Sequence, residues 1–169
     1  DYSRRIVGFK SGASAELEYF AGKVARAIQD ESVLNRRSNI LVPVPSSRRH
    51  NPARPHRGEL LCQVVTAMPG VLVRYGPYVA RIETIRSSHG TSVASRPDIE
   101  EHMETLEVRI PHPTRGYATR LGSNQRGSLN AILFDDVRYF GATSEACARL
   151  LARAGFSTVY AIYLGQNQP

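Results

Sequence analysis

The stretch Ala131-Ile132-Leu133-Phe134-Asp135-Asp136, running on through Val137-Arg138-Tyr139-Phe140 to Gly141-Ala142-Thr143, constrains the fold more than any other part of this chain. Four apolar residues in a row predict a strand buried on both faces, as in a parallel sheet. Two adjacent carboxylates sit where that strand is expected to end. In open α/β sheets, ligands bind at the carboxyl ends of the strands. A short loop then leads into a segment of helical periodicity, and a helix N-terminus offers backbone N–H groups to an anion. One segment thus presents two acceptors for sugar hydroxyls and a cradle for phosphate. The plainer reading of the two aspartates is a solvated turn or a helix cap.

The rest of the chain alternates helical and extended patterns. Leu17, Phe20, Ala21, Val24, Ala27 and Ile28 recur at helical spacing and predict a helix over 15–29, with Ser14 as its N-cap. Arg4 to Lys10 reads as a short strand or a helix entry. Ile40-Leu41-Val42 begins a buried strand that Pro43-Val44-Pro45 closes. The loop 46–58 holds two serines, four arginines and two prolines, and the prolines exclude helix and central strand. A second helix is predicted over 59–68 and a second strand over 71–73. Tyr78 to Ile82 reads as a further strand or as an irregular approach to the next loop. Pro97, with acidic residues behind it, suggests a short helix. Leu106 to Ile110 alternates like an edge strand, and 111–129 reads as a loop. A third helix covers about 144–154 with Gly155 behind it, and Thr158 to Leu164 is the last strand. Strands alternating with helices predict an α/β fold: a central, mostly parallel sheet flanked by helices. With 169 residues and no repeat, the chain is read as a single domain, 1–169.

Composition enters at two points. The net charge is +7, and only Lys10 and Lys23 are lysines among the 22 basic residues. Arginine's planar fork suits phosphate, although a basic balance also fits nucleic acid or a compositional bias of the source. Cys62 and Cys147 lie inside apolar helical patterns and read as buried, reduced thiols. No Cys/His cluster has zinc spacing, so no protein-held metal is expected. No apolar run is long enough to span a bilayer and no signal peptide is visible, so the expectation is a cytoplasmic protein with no membrane partner.

The acidic strand end with its loop resembles the phosphoribosyl-diphosphate (PRPP) motif of type I phosphoribosyltransferases. That pattern is an apolar strand, two acids and a loop that usually reads Thr-Thr-Gly-x-Thr. Asp135 and Asp136 match the acids, and Gly141 and Thr143 match the loop end. Tyr139 and Phe140 stand where the family usually has small hydroxyl residues. Further segments resemble the competence-associated, ComF-type branch. Phe9-Lys10 precedes a helix, Val42 to Pro45 reads Val-Pro-Val-Pro, and Arg57-Gly58 follows a basic loop. Glu145 to Leu151, with Ala154-Gly155, resembles the branch's last helix. The resemblance covers about half of the chain. It lacks the branch's upstream cysteine-rich segment and the Phe-Asn after Arg57-Gly58.

The resemblance implies a type I phosphoribosyltransferase fold with a small hood, to which residues 1–38 contribute. It implies transfer of the 5-phosphoribosyl group from PRPP to a small-molecule nitrogenous acceptor, with release of pyrophosphate. Asp135 and Asp136 would be the catalytic pair, holding the ribose hydroxyls and favouring the oxocarbenium-like sugar. Arg138, Tyr139, Phe140, Gly141, Ala142 and Thr143 would hold the 5-phosphate, and Ser46, Ser47 and Arg48 the pyrophosphate. Arg86, His89 and Arg96 belong to the segment in the place of the family's mobile loop. Mg²⁺ would be held mainly through PRPP oxygens. Read from the residues alone, His89 is more simply an exposed loop histidine, and Glu145 a solvated first-turn residue. His50, His56, His102 and His112 carry no specific signal. Two alternatives stay open: a non-catalytic protein that binds PRPP or a nucleotide, and, ranked last, a basic accessory protein touching nucleic acid. A homodimer is an open assembly.

Overall fold

The computed structural model describes residues 1–86, 96–109, 129–138 and 141–166. Five helices and six strands follow one another within them. Their order is α1 (Tyr2–Ser11), α2 (Ser14–Asp30), β1 (Asn39–Pro43), α3 (Arg57–Ala67), β2 (Arg74–Tyr75) and β3 (Val79–Arg81). Then come α4 (Ile99–Glu104), β4 (Leu106–Val108), β5 (Asn130–Arg138), α5 (Ala142–Arg153) and β6 (Thr158–Gln166). Four strands form one sheet in the order β2-β1-β5-β6, and every pairing in it is parallel. β3 and β4 pair separately and antiparallel. The chain is thus α/β with a parallel central sheet flanked by helices.

Strand alternation sorts the core into two layers. Leu41, Ile132, Phe134 and Leu164 pack with Phe9 of α1, Phe20, Val24 and Ile28 of α2, and Leu61 and Val65 of α3. Ile40, Val42, Ala131 and Leu133 face the other way, onto Ala146, Cys147 and Leu151 of α5 and onto Val79 and Leu106 of the β3–β4 pair. Every residue of β1 is buried, as a strand covered on both faces requires. Burying Phe134 alone stabilises the fold by about 2–3 kcal/mol. Both cysteines are buried free thiols.

Several boundaries differ from the sequence-based expectations. Of the two readings of Arg4 to Lys10 the helical one holds, and the segment is most of a helix of its own, α1, anchored by the Tyr2 hydroxyl donating to the Leu164 carbonyl (2.7 Å) and by edge-on packing of Tyr2 and Phe9 against Phe20. α2 takes Ala13, not Ser14, as its N-cap. α3 starts two residues early because His56 caps it through its side chain. The strand expected at 71–73 is displaced to Arg74–Tyr75, where the register meets Ile40 and Leu41. Of residues 1–38, α2 forms a packed layer on the sheet, while α1 carries Lys10 to the carboxyl ends of the strands.

One register fact positions the site. β1 stays paired with β5 only as far as Pro43 opposite Phe134. β5 does not end there, as expected, but continues beside β6 to Arg138 opposite Gln166. Asp135 and Asp136 therefore lie in a strand that has outrun its neighbour, and a cleft opens where β1 is missing. The Val44 N–H donates to the Phe134 carbonyl (2.8 Å) at the point where the two strands part.

Candidate functional site

The cleft has a volume of about 260 Å³. Its floor is Phe134, Asp135 and Asp136, one wall is Val44, Pro45 and Ser46, and the other is Lys10, His56, Arg57 and Gly58. Because residues alternate along β5, the two carboxylates leave the strand on opposite faces. Asp136 shares the face of Phe134 and meets Lys10 Nζ at 3.4 Å, with both side chains about one-third exposed. Asp135 shares the face of Leu133. Its Oδ2 accepts from the Ser144 hydroxyl (3.2 Å), and its Oδ1 accepts from the Asp136 N–H (2.9 Å). Burial, and next the charge of Asp136, push the Asp135 carboxyl up to about 6. The two hydrogen bonds and Lys10 oppose that rise. Neighbours in sequence thus become one recessed carboxyl of raised pKa and one charge-paired carboxylate.

Lys10 reaches the cleft because α1 stops where it does. Gly12 caps α1 in the left-handed conformation, φ 106°, with its N–H shared between the Gly8 and Phe9 carbonyls. A Cβ there would also lie 2.8 Å from the Arg57 guanidinium. Across the cleft, His56 Nδ1 accepts from the Gly58 N–H (3.1 Å), so its proton sits on Nε2, 3.4 Å from Glu59 Oε1. Burial, helped by His50, lowers the His56 pKa to about 4 against the pull of Asp136, and the ring is neutral at pH 7. Both ring nitrogens are engaged, so His56 is a poor general base. Glu59 also meets His50 Nδ1 at 3.1 Å, and burial raises its pKa.

The turn after β1 is stitched to the segment after β3. The Ser46 carbonyl accepts from Arg81 Nε and the Ser47 carbonyl from the Ile85 N–H (2.9 Å). The Thr84 hydroxyl accepts from the Arg49 N–H (3.1 Å), and the Arg81 carbonyl from the His50 N–H (2.8 Å). Ser46 enters the cleft, whereas Ser47 is half-buried beside it and Arg48 is exposed. On the far side, Gly141 takes φ 77° and starts α5 with no side-chain cap among the described residues. The first-turn N–H groups of a helix have no intrahelical acceptor, so this corner favours an anion. Gly141 borders a neighbouring hollow of about 350 Å³ with Ser144, Glu145 and Tyr163, and the Ser144–Asp135 bond joins that hollow to the cleft. Thr143 is half-buried in the first turn of α5.

Of the residues singled out from sequence, Asp135, Asp136 and Ser46 share the cleft, and Gly141, Ala142 and Thr143 form the adjoining helix start. Arg138 is a β5 residue opposite Gln166. Arg86 is exposed and pairs with Glu101 of α4 at 3.7 Å, and Arg96 is half-buried ahead of Pro97. Tyr139, Phe140 and His89 lie outside the described residues. Glu145 is exposed and paired with Arg149 (2.9 Å), as a solvated first-turn residue should be. Among the described residues no three His, Cys, Asp or Glu side chains converge as a metal cage, and no helix is long and apolar enough to cross a membrane.

Sequence reasoning passed over Lys10, His56, Arg81, His102 and Ser144. Arg81 and His102 are 1% and 3% exposed, and they bond to one another beneath the site. A basic residue inside an otherwise apolar strand, Val79-Ala80-Arg81, was the available signal, since arginine is almost never buried without partners. No family model matches this chain, and no curated protein does.

Proposed function

We propose that the chain is a phosphoribosyltransferase of the type I fold that moves the 5-phosphoribosyl group from PRPP to a nitrogenous acceptor. One observation carries this reading. Two adjacent carboxylates emerge where β5 outruns β1, between the Ser46 turn and the start of α5, which has no side-chain cap among the described residues. A sugar bearing phosphate at both ends needs that order: anion corner, hydroxyl acceptors, anion corner. The antiparallel β3–β4 pair, on either side of 82–105, fits the place of the family's mobile loop.

In this reading the ribose hydroxyls donate to Asp136 and Asp135, and the 5-phosphate accepts from first-turn N–H groups of α5 and from Thr143. The diphosphate lies toward Ser46 and the Arg57 side of the cleft. The C1–O bond breaks with its electron pair leaving on pyrophosphate. The acceptor nitrogen's lone pair closes the C1–N bond, and its proton passes to solvent. Carboxylate charge beside C1 favours the sugar as positive charge develops. The two carboxylates diverge to opposite faces and form no cage, so Mg²⁺ would be held mainly through PRPP oxygens and water. Bound so, the ion would neutralise charge on the leaving group.

A second reading has its own support. Lys10 occupies Asp136, a carboxylate that catalysis would use for ribose, and this suits a protein that binds PRPP or a nucleotide without turning it over. Calorimetric titration with PRPP and Mg²⁺, followed by an acceptor screen for pyrophosphate release, separates the readings. Heat with release supports the enzyme, and heat without release for any acceptor supports the binding protein. No heat at millimolar PRPP defeats both.

A further inference from the structure

Beneath the two anion corners runs a chain of hydrogen bonds in which every proton can be assigned. Arg81 has only donors to offer. Its Nε donates to the Ser46 carbonyl, one terminal nitrogen donates to the Thr105 hydroxyl, and the other lies 3.2 Å from His102 Nδ1. His102 Nδ1 must therefore accept. A neutral imidazole carries one N–H, so the proton is on Nε2. That nitrogen lies 3.2 Å from Thr143 Oγ1 and must donate to it. The Thr143 oxygen then meets His102 as an acceptor, and its own hydrogen remains to be given to something else.

We propose that His102 is a positioning residue that, held in one tautomer by Arg81, fixes the Thr143 hydroxyl as a hydrogen-bond donor to a phosphate monoester at the start of α5. The proposal rests on the phosphoribose reading of the site and adds to it the residues that prepare its 5-phosphate corner. Its physical content is directional. A threonine hydroxyl in water rotates freely between donating and accepting, and only donation serves a phosphate. The buried guanidinium removes that freedom two bonds away. It also polarises the imidazole, so the Nε2–H and in turn the Thr143 O–H become better donors. The charged groups around the ring agree with a neutral His102. Burial and then Arg81 lower its pKa to about 4, against the weaker opposing pull of Asp98. A protonated ring would set Nδ1–H against an Arg81 N–H. Because Arg81 also holds the Ser46 carbonyl, the same side chain braces the turn at the opposite anion corner.

Two measurements on the full chain test this. Nitrogen-15 NMR of the histidine rings at pH 7, assigned by loss of the signal in His102→Gln, reads the tautomer directly. Protonated Nε2 with unprotonated Nδ1 is expected; the reverse tautomer or an imidazolium overturns the proposal. Calorimetry with ribose 5-phosphate and, separately, inorganic pyrophosphate reads the consequence. Thr143→Val should weaken ribose 5-phosphate about tenfold, the scale of one hydrogen bond to a charged group, and leave pyrophosphate unchanged. His102→Leu should do the same to ribose 5-phosphate, without adding to Thr143→Val in the double variant. His102→Gln, whose amide offers an acceptor and a donor at imidazole-like spacing, should recover most of the affinity. Thr143→Val leaves the Arg81–His102 bond in place, so the test stands even if His102→Leu does not fold. Unchanged ribose 5-phosphate affinity in Thr143→Val overturns the proposal while the phosphoribose reading survives. If the wild-type chain binds neither ribose 5-phosphate nor PRPP, the phosphoribose reading fails and takes the role of Thr143 with it, whatever the tautomer.

Discussion

The two faces of the sheet bring polar groups to the same cleft by opposite means. On the α1 and α3 face, Asp136 meets Lys10 in a pair that water still reaches. On the α5 face, Asp135 is recessed under Ser144, and the Arg81–His102–Thr143 chain behind it is closed off from solvent at its centre. The acids are adjacent in sequence, and strand alternation alone separates them. The difference shows how one strand end can combine an adaptable charge with a fixed one. Long-range charge in a wet setting is screened and mobile, whereas buried donors keep their directions.

The comparison can be broken at four points. On the enzyme reading, Asp136→Asn and Asp135→Asn should each lower the rate of pyrophosphate release on the order of 10²-fold, as followed by a coupled phosphate assay. Equal rates in the Asp135 variant would mean that only the wet face does chemistry. Next in size is Arg81→Ala. It leaves the Ser46 carbonyl, the Thr105 hydroxyl and His102 Nδ1 without their donor in a buried setting, and it should cost about 3 kcal/mol in urea denaturation.

The third test uses pH. The Asp135 carboxyl is raised in the folded state, so its contribution to stability is full below the unfolded pKa near 4 and is lost as pH rises through about 6. His102 and His56 are lowered to about 4, so theirs is present above about 6.5 and lost as pH falls toward 4. The two trends oppose each other over one window, and in the wild-type profile alone the larger contribution of the two histidines will mask that of Asp135. The difference between Asp135→Asn and wild type should expose it. It should grow in favour of the variant from pH 4 to pH 7, reaching about 1–3 kcal/mol. A constant difference would show that Asp135 titrates normally. Smallest is Lys10→Ala, which should change stability by less than about 1 kcal/mol, because the pair is partly exposed. On the same variant, calorimetry should show tighter binding of ribose if Lys10 competes for Asp136, and weaker binding of pyrophosphate if Lys10 serves the leaving group.

Much of the architecture was legible in the sequence because it follows from local rules. Leu17 to Ile28 had to be a helix with one apolar side, Ile40 to Val42 and Ala131 to Phe134 had to be strands covered twice, and a helix had to follow Gly141-Ala142-Thr143, although it begins at Ala142 and not near 144. The errors lie where a neighbour decides. Arg4 to Lys10 carries Ile6 and Val7 and looks as much like a strand as a helix, and Phe20 of the following helix settles it by offering its ring to Tyr2 and Phe9. Val71 to Val73 has the better strand composition, yet the register against Ile40 and Leu41 puts the pairing at Arg74 and Tyr75.

The candidate site divides the same way. Sequence by itself determined that two carboxylates and an anion-favouring helix start would lie together, since only a few residues separate them along the chain. Tertiary structure decided that β5 would run past β1, that Asp135 and Asp136 would part to opposite faces, and that Lys10, Arg81 and His102 would converge from three distant elements. The physical reason is range. Propensity and periodicity act over a turn or a strand, while burial, pKa and hydrogen-bond direction depend on what the rest of the chain places within a few ångströms.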